Sequence, residues 1–198
     1  MKNLLNNSKK GFLLVTMLVT MLSFAKEASV NSFMNDARKT SLTLNNVKQG
    51  DVFSIKDENG IVLYKELMQK SGIYTKGFDL TSLPNGEYFF ELEKDMEIKT
   101  IPFIVNAKTV IVNRELESTT YKPYVKQKNN LLFISKLATN LKPVKISIYT
   151  HNNLEFQLLY SEKVEGVKTI EKVYKLEKGY YKVTINSDDK EFTTYINN

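Results

Sequence analysis

The chain has no cysteine, no tryptophan and a single histidine among its 198 residues. Without cysteine it can form no disulfide bond, thiolate nucleophile or cysteine-ligated zinc site. With one histidine it also lacks the ligand sets of most metal centres. Tryptophan is the side chain that most often stacks on sugars in binding sites, and tyrosine serves this role less well. The composition therefore argues against most catalytic and metal-dependent functions.

Catalytic motifs are missing as well. The sequence has no G-x-S-x-G elbow, no glycine-rich phosphate loop and no H-E-x-x-H motif. We predict that His151 is a solvated turn residue, matching Glu58 elsewhere in the chain. The segment KDENG has acids in the style of a calcium loop, but its glycine comes two places early and the distal acid is missing.

Two pairs of carboxylates lie close together in the sequence and are candidates for an acid-base pair. Glu91 and Glu93 alternate along a predicted strand, on its outer face, while Asp188 and Asp189 fall in a predicted turn. An acid-base pair of the glycosidase kind needs one acid in an apolar pocket, and no such pocket is indicated. We therefore expect these acids to be solvated, and we expect no catalytic, cofactor-binding or metal-binding residues and no cofactor.

Residues 1–25 have the plan of a secretory signal peptide. Three lysines precede residues 11–24, which carry no charge, and Ala25 ends the segment. The apolar stretch is shorter than the roughly 20 residues that span a bilayer, although an uncleaved membrane anchor stays an alternative. Cleavage after Ala25 takes away three lysines and no acids, so the formal net charge falls from +6 to +3. We expect no nucleic-acid partner and no stable membrane span after cleavage.

Alternation of apolar and polar residues dominates the chain after residue 25, without a helical stripe. The predicted strands in the first part are Ser41–Asn45, Val52–Lys56, Ile61–Leu67, Lys76–Leu80, Glu87–Glu93 and Ile98–Val105. Those in the second part are Thr109–Arg114, Leu131–Lys136, Val144–Thr150, Leu154–Glu162, Thr169–Lys175, Tyr180–Asn186 and Glu191–Ile196. Short strands separated by turn residues predict an all-β sandwich fold.

The second part repeats the first. LPNGEYFFEL at residues 83–92 returns as LEKGYYKVTI at residues 176–185. The segment DVFSIKDENGIVLYKEL precedes the first copy and corresponds to VKISIYTHNNLEFQLLYSE, which precedes the second. The repeat also aligns Leu42, Leu44 and Val47 with Leu132, Ile134 and Leu137. We predict two tandem β-sandwiches of the immunoglobulin or fibronectin III kind, at residues 26–108 and 109–198, after the signal peptide.

The repeated motif is L-x-x-G-x-Y. Its residues are Leu83, Gly86 and Tyr88 in the first copy and Leu176, Gly179 and Tyr181 in the second. We expect the leucine to close a loop over the core and the glycine to adopt a backbone conformation that strains other residues. The tyrosine hydroxyl can reach back to the loop backbone, as in the tyrosine corner of immunoglobulin-like domains. All six residues are predicted to be structural.

Residues 52–105, with FSIKDENGIVLYKEL and GFDLTSLPNGEYFFELE, resemble the C-terminal sorting domains of type IX secretion cargo in Bacteroidota. Residues 144–196 are similar in a more degenerate form. The chain is also similar to small secreted immunoglobulin-like proteins from the same phylum. The resemblance implies an immunoglobulin-like fold and export from a Gram-negative cell.

The function expected from these features is that of a non-catalytic module, secreted or periplasmic, that binds a protein or another envelope component. A sorting or surface-retention role of the type IX kind is the alternative. An enzyme or an enzyme inhibitor is the least favoured hypothesis.

The signal peptide yields the first testable prediction. The mature protein should begin at or near Lys26, because Ala25 ends the uncharged segment and presents a small residue to the peptidase. Intact-mass spectrometry of protein purified from its native cell checks this. Recovery of a membrane-embedded form that retains Met1 would contradict it.

Overall fold

The computed structural model describes residues 33–152 and 155–198, so the predicted signal peptide lies outside the described residues. Sixteen β-strands account for most of this part of the chain. They are β1 (Phe33–Asp36), β2 (Thr40–Val47), β3 (Val52–Asp57), β4 (Val62–Leu67), β5 (Gly72–Phe78), β6 (Gly86–Glu93), β7 (Glu97–Asn106), β8 (Thr109–Val112), β9 (Ser118–Tyr121), β10 (Tyr124–Lys128), β11 (Leu131–Leu137), β12 (Val144–Asn152), β13 (Glu155–Val164), β14 (Thr169–Lys175), β15 (Tyr180–Ser187) and β16 (Lys190–Asn197). The predicted all-β class is confirmed.

The strands form four antiparallel sheets. In the first half of the structure, residues 33–121, one sheet has the order β1-β8-β7-β6-β3-β4, with β9 added on β7, and the other is β2-β5. In the second half, residues 124–198, the sheets are β10-β11-β14 and β13-β12-β15-β16. Each half therefore contains two sheets whose facing sides are apolar.

The strand pairing of the first half recurs in the second. The order β4-β3-β6-β7 returns as β13-β12-β15-β16, and the pair β2-β5 returns as β11-β14. Ile55 pairs with Phe90 on β6, and Ile148 pairs with Val183 at the corresponding place on β15. The internal repeat in the sequence thus corresponds to a repeat of strand connectivity.

Each half has its own hydrophobic core, and the two cores differ in composition. The first core is built on phenylalanine rings: Phe90 and Phe103 stack with their centroids 4.1 Å apart, and Phe53 lies 6.0 Å from Phe90. The second core is aliphatic, with Leu132, Ile134, Ile146, Ile148, Val183 and Ile185 almost fully buried. The alternating strand pattern places these side chains on one face of each sheet.

The first half extends beyond the predicted boundary between Lys108 and Thr109. That boundary falls in the turn between β7 and β8, which are paired neighbours in one sheet. β9 pairs with β7 as well, so the first half continues to Tyr121. The strands β1, β9 and β10 were not predicted, because they are short and, in β9 and β10, mostly polar.

A cluster of tyrosine, glutamate and lysine bridges the two sheets of each half. In the first half, the Glu66 carboxylate on β4 accepts hydrogen bonds from Tyr64 at 2.6 Å, from Tyr74 on β5 at 2.9 Å and from Lys76 at 2.7 Å. In the second half, the Glu162 carboxylate on β13 accepts from Tyr174 at 2.5 Å and Lys172 at 2.7 Å, both on β14. β4 and β13 are sheet edges, so these contacts link the two layers where the backbone makes no bond between them.

The ionic hydrogen bonds shift the pKa values of the groups that they join. The bond from Lys76, followed by that from Tyr64, lowers the pKa of Glu66 to about 2, and the same contacts raise the pKa of Lys76. The bond from Lys172 lowers the pKa of Glu162. Burial, together with the bond to its carboxylate, raises the pKa of Tyr74 and of Tyr174. Both clusters are therefore arranged around a charged carboxylate at neutral pH.

The lowered pKa of Glu66 gives a pH-dependent prediction. Its contribution to stability is complete above pH 4.5, its ordinary pKa, and is lost as the pH falls from there towards 2. Glu66→Gln should reduce the unfolding free energy at pH 7 by about 0.2–1 kcal/mol, the range measured for solvent-exposed ion pairs. Its loss of stability between pH 7 and pH 3 should be smaller than that of the unmodified protein in urea titrations.

Glu58→Gln supplies the matched control, because Glu58 is exposed in the turn after β3. That variant should keep the pH dependence of the unmodified protein. Equal pH dependence in all three proteins would contradict the role given to Glu66.

Candidate functional site

The outer face of the β13-β12-β15-β16 sheet carries a group of exposed and half-buried rings around one lysine, which we name the aromatic face. Its members are Tyr149, His151, Phe156, Tyr180, Lys182 and Tyr195. They project on the same side because they occupy alternate positions on strands that pair in register, Tyr149 with Lys182 and Lys182 with Tyr195. Tyr180 and Tyr195 are 42% and 55% exposed, which is high for rings already in contact with other rings.

The rings form a connected array. Phe156 lies at its centre, with its centroid 5.1 Å from His151, 5.8 Å from Tyr180 and 5.8 Å from Tyr195. Tyr180 and Tyr195 are nearly parallel, with an angle of 9° between their planes and 6.1 Å between centroids. Such spacing is typical of packed aromatic pairs, so the array holds itself in place without being covered.

Lys182 lies among these rings. Its ammonium nitrogen is 4.4 Å from the centroid of Tyr149 and 5.2 Å from that of Phe156. The ring quadrupoles attract the cation and hold it over the face. The strand register also places Lys145 and Lys163 opposite each other on this side of the sheet and Glu191 opposite Asn186, and Lys163 forms an ion pair of 2.8 Å with Glu165.

A row of hydroxyl side chains borders the aromatic face. Ser161, Ser147, Thr184 and Thr193 follow one another in register across the four strands. Ser147 and Ser161 share a hydrogen bond of 3.0 Å between their hydroxyl oxygens. Because these hydroxyl side chains are short, the neighbouring rings project farther from the sheet than they do.

His151 does not lie in a turn, as the sequence had suggested. It is the eighth residue of β12, opposite Phe156 on β13. Its side chain is exposed, as predicted, but it packs edge-on against Phe156 and against Tyr180 at 5.9 Å. The hairpin tip was placed too early because Thr-His-Asn-Asn reads as a turn, whereas β12 continues to Asn152.

The first half has no equivalent of the aromatic face. Matching Tyr88 with Tyr181 puts Glu87, Phe89 and Pro102 at the places of Tyr180, Lys182 and Tyr195. The same matching puts Glu91 at the place of Thr184. The two halves therefore present different chemistry on corresponding faces.

The expectation that Glu91 is solvated is wrong. It lies on the outer face of its sheet, as predicted, but it is 5% exposed and not solvated. Its carboxylate forms ion pairs with Lys56 on the neighbouring strand and with Lys190 at the start of β16 in the second half. Burial alone would raise the pKa of Glu91, but the hydrogen bonds from Lys190 and Lys56 outweigh it and hold the pKa below its usual range. Glu93 behaves as predicted, with an exposed carboxylate 2.8 Å from Lys122.

A second lysine joins the two halves. Lys136 on β11 is 2% exposed and donates a hydrogen bond of 2.6 Å to the carbonyl oxygen of Tyr121 at the end of β9. Its ammonium nitrogen also lies 5.6 Å from the ring of Phe192. Burial lowers the pKa of Lys136. The junction between the halves is thus polar and depends on two lysines of the second half.

A cleft of about 700 Å³ runs beside this junction. Asp188 and Asp189 line it, and both have positive φ, 55° and 58°, at the centre of the β15–β16 hairpin. Their predicted turn is therefore present. Asp188 is not simply solvated, because its carboxylate accepts hydrogen bonds from the Asn140 amide and the Ser187 hydroxyl.

The L-x-x-G-x-Y motif forms the same loop in both halves. The Tyr88 hydroxyl donates to the Pro84 carbonyl at 2.9 Å, and the Tyr181 hydroxyl donates to the Glu177 carbonyl at 3.0 Å. Both bonds reach back four residues. Leu176 is buried, and Leu83 packs against the first core.

The two glycines of the motif act differently from our expectation. Neither Gly86 nor Gly179 has a positive φ, so neither position strains another residue. Instead, each tyrosine ring folds over its glycine, and an added Cβ would lie 3.7 Å from the Tyr88 ring or 3.5 Å from the Tyr181 ring. A Cβ at these distances makes ordinary contact with the ring, so alanine fits, but a larger side chain would displace the ring that makes the hydroxyl bond.

The described residues give no sign of a metal centre or a membrane helix. Among residues 33–152 and 155–198, no three side chains of histidine, aspartate or glutamate come together as metal ligands would. Within the same ranges, no helix has the length and apolar character needed to cross a bilayer.

Comparison with known proteins gives little guidance. No protein-family model and no curated protein matches the chain. Among solved structures, the BSP domain of a biofilm associated protein matches with 9% identity and a TM-score of 0.25, over 81% of this chain and 27% of that one. A likeness of this strength carries no argument about fold or function.

The geometry of the motif predicts which glycine substitutions are tolerated. Gly86→Ala should change the unfolding free energy by less than about 1 kcal/mol, whereas Gly86→Val should destabilise by about 1–3 kcal/mol by crowding the Tyr88 ring. Tyr88→Phe should cost about 1 kcal/mol through the lost hydrogen bond. Urea unfolding measures all three.

Gly77→Val is the control, because an added Cβ at Gly77 meets no atom within 4 Å. It should leave stability almost unchanged. If Gly86→Ala destabilised as strongly as Gly86→Val, backbone conformation and not the tyrosine ring would explain the glycine.

Proposed function

We propose that this protein is a non-catalytic binding module made of two tandem immunoglobulin-like sandwiches. In this proposal a signal peptide at residues 1–25 directs export, and the mature chain binds a component of the cell envelope. The observation that carries the proposal is the aromatic face on the outer side of the β13-β12-β15-β16 sheet, where the exposed Tyr180 and Tyr195 lie beside Phe156 and Lys182.

Exposed rings in contact with one another are the main argument for binding. Leaving apolar surface in water is unfavourable by about 25 cal/mol per Å², and contiguous exposed apolar patches mark interaction sites. Leu158, 59% exposed and paired with Tyr149, extends the patch towards the sheet edge. Tyrosine suits such a surface, since its ring is apolar and its hydroxyl stays hydrated.

Two features support a non-catalytic role. A general base needs a partner that orients it and a substrate within hydrogen-bond reach. His151 contacts rings and has no carboxylate contact among the described residues. The buried carboxylate Glu91 is held by two lysines and joins the halves of the chain, so it is committed to structure.

Sedimentation with isolated cell envelopes tests the proposal. Mature protein should pellet with envelopes of its native cell, and the double variant Tyr180→Ala with Tyr195→Ala should stay in the supernatant while keeping the unfolding midpoint of the parent. The expectation follows because both side chains are exposed and their removal takes away binding surface, not core.

Tyr124→Ala provides the matched control. Tyr124 is 52% exposed on β10, in the other sheet of the same half. This variant should pellet as the parent does. Equal pelleting of the double variant, or a hydrolytic activity that His151→Ala abolishes, would contradict the proposal.

A surface-retention role of the type IX kind is the second candidate. It is favoured by the resemblance of residues 52–105, whose hairpin β3–β4 turns at Gly60 with φ of 80°. Cells with and without the type IX machinery should then differ in where the protein accumulates, with periplasmic build-up in the mutant. Identical fractionation in both strains would contradict the surface-retention role and leave binding as the one proposed function.

A further inference from the structure

We propose that the ligand of the aromatic face is an anionic polysaccharide, a chain of sugars bearing carboxylate groups. This inference rests on the proposed binding function and adds the chemistry of the ligand. The site consists of Phe156, Tyr180 and Tyr195 as stacking rings and Lys182 as the cation.

The ring array fits a sugar chain. A pyranose ring has an apolar side made of C–H groups, which packs against the face of an aromatic ring, and polar hydroxyls around its edge. Phe156, Tyr180 and Tyr195 form three neighbouring contact points spread over β13, β15 and β16. Several adjacent rings suit a repeating polymer, because successive units can each meet one.

The edge of the array supplies hydrogen-bonding groups for sugar hydroxyls. Asn197 pairs with Tyr180 and Thr193 lies two residues before Tyr195, and both side chains are exposed on this face. Ser161 is exposed on the opposite side of the hydroxyl row. Neutral amides and hydroxyls can donate to and accept from a sugar hydroxyl, which a purely apolar partner would not use.

The charge of the face selects an acidic sugar over a neutral one. Lys182 has no salt bridge with any acid among the described residues, and its ammonium group lies over Tyr149 and over Phe156, which is one of the three rings on which the sugar would stack. Lys145 and Lys163 lie farther along the same face, where Lys163 is paired with Glu165 at 2.8 Å and Glu191 occupies the register position opposite Asn186. Lys182 is therefore the cation available beside the rings, and a carboxylate stacked beside Phe156 would come within its reach.

A nucleic acid also stacks on aromatic residues of a sheet, but it fits less well. Its binding requires several cations along the phosphate backbone, and arginine is the usual choice. Only Lys182 is placed among the rings, and both arginines of the chain, Arg38 and Arg114, belong to the first half. The surface thus has the rings that a nucleic acid needs but not its row of cations.

Affinity electrophoresis and calorimetry test this assignment on the mature chain. The probes are polygalacturonate, alginate and hyaluronate, each beside its carboxyl-reduced form, and a single-stranded thymidine oligonucleotide. At least one acidic polysaccharide should bind, and its carboxyl-reduced form should bind about tenfold more weakly. Tyr180→Ala and Tyr195→Ala should each weaken binding about fivefold to tenfold, as expected for loss of one stacked ring.

Lys182→Gln separates charge from stacking. Binding by the parent should weaken as salt is raised, because screening reduces the attraction between charges, and this variant should lose most of that dependence while it keeps weak stacking. Tyr124→Ala and Lys126→Gln, on the exposed side of β10, are controls that should bind as the parent does.

Four results would overturn the inference: no binding of any acidic polysaccharide, equal binding of the carboxyl-reduced forms, tighter binding of the oligonucleotide, or equal losses in the β10 controls. Envelope binding that depends on Tyr180 and Tyr195 without polysaccharide binding would overturn this inference alone. Envelope binding that ignores those tyrosines would remove the proposed function as well.

Discussion

The carboxylate of Glu91 lies at the point where the two halves of the structure meet. It is buried on the outer face of the first-half sheet and held by Lys56 from its own half and Lys190 from the other. A buried carboxylate is unfavourable unless it is paired, so its burial requires the second half to stay in place. Lys136, bonded to the Tyr121 carbonyl, adds a second fixed contact.

This junction explains why only one aromatic face is expected. The same strand order builds both halves, and both close their loops with a tyrosine bonded to a carbonyl four residues back. The outer face around Glu91 is used for the junction, whereas the matching sheet of the second half carries the rings beside Thr184. The repeated framework thus carries a buried ion-pair junction on one half and an array of rings on the other.

Local patterns predicted most strands and both tyrosine corners, because alternation and turn residues act over a few positions. Partners across the fold were not predictable. Glu91 looked solvated because nothing near it in sequence indicates that Lys190 will cover it, and Leu137 was matched with Val47 although Ala138 is the residue that is buried. The aromatic face was missed because its rings come from four strands, although the repeated Tyr-x-Glu at Tyr64 and Tyr160 could have revealed the bridging clusters.

The central claim is that Glu91 fixes the two halves relative to each other. The absence of native cysteine allows spin labels to be placed at Ser41→Cys on β2 and Glu171→Cys on β14, both exposed positions, and their separation to be measured by pulsed electron paramagnetic resonance. The account predicts one narrow distance distribution that broadens when Glu91→Ala is added. A broad distribution that Glu91→Ala leaves unchanged would contradict it.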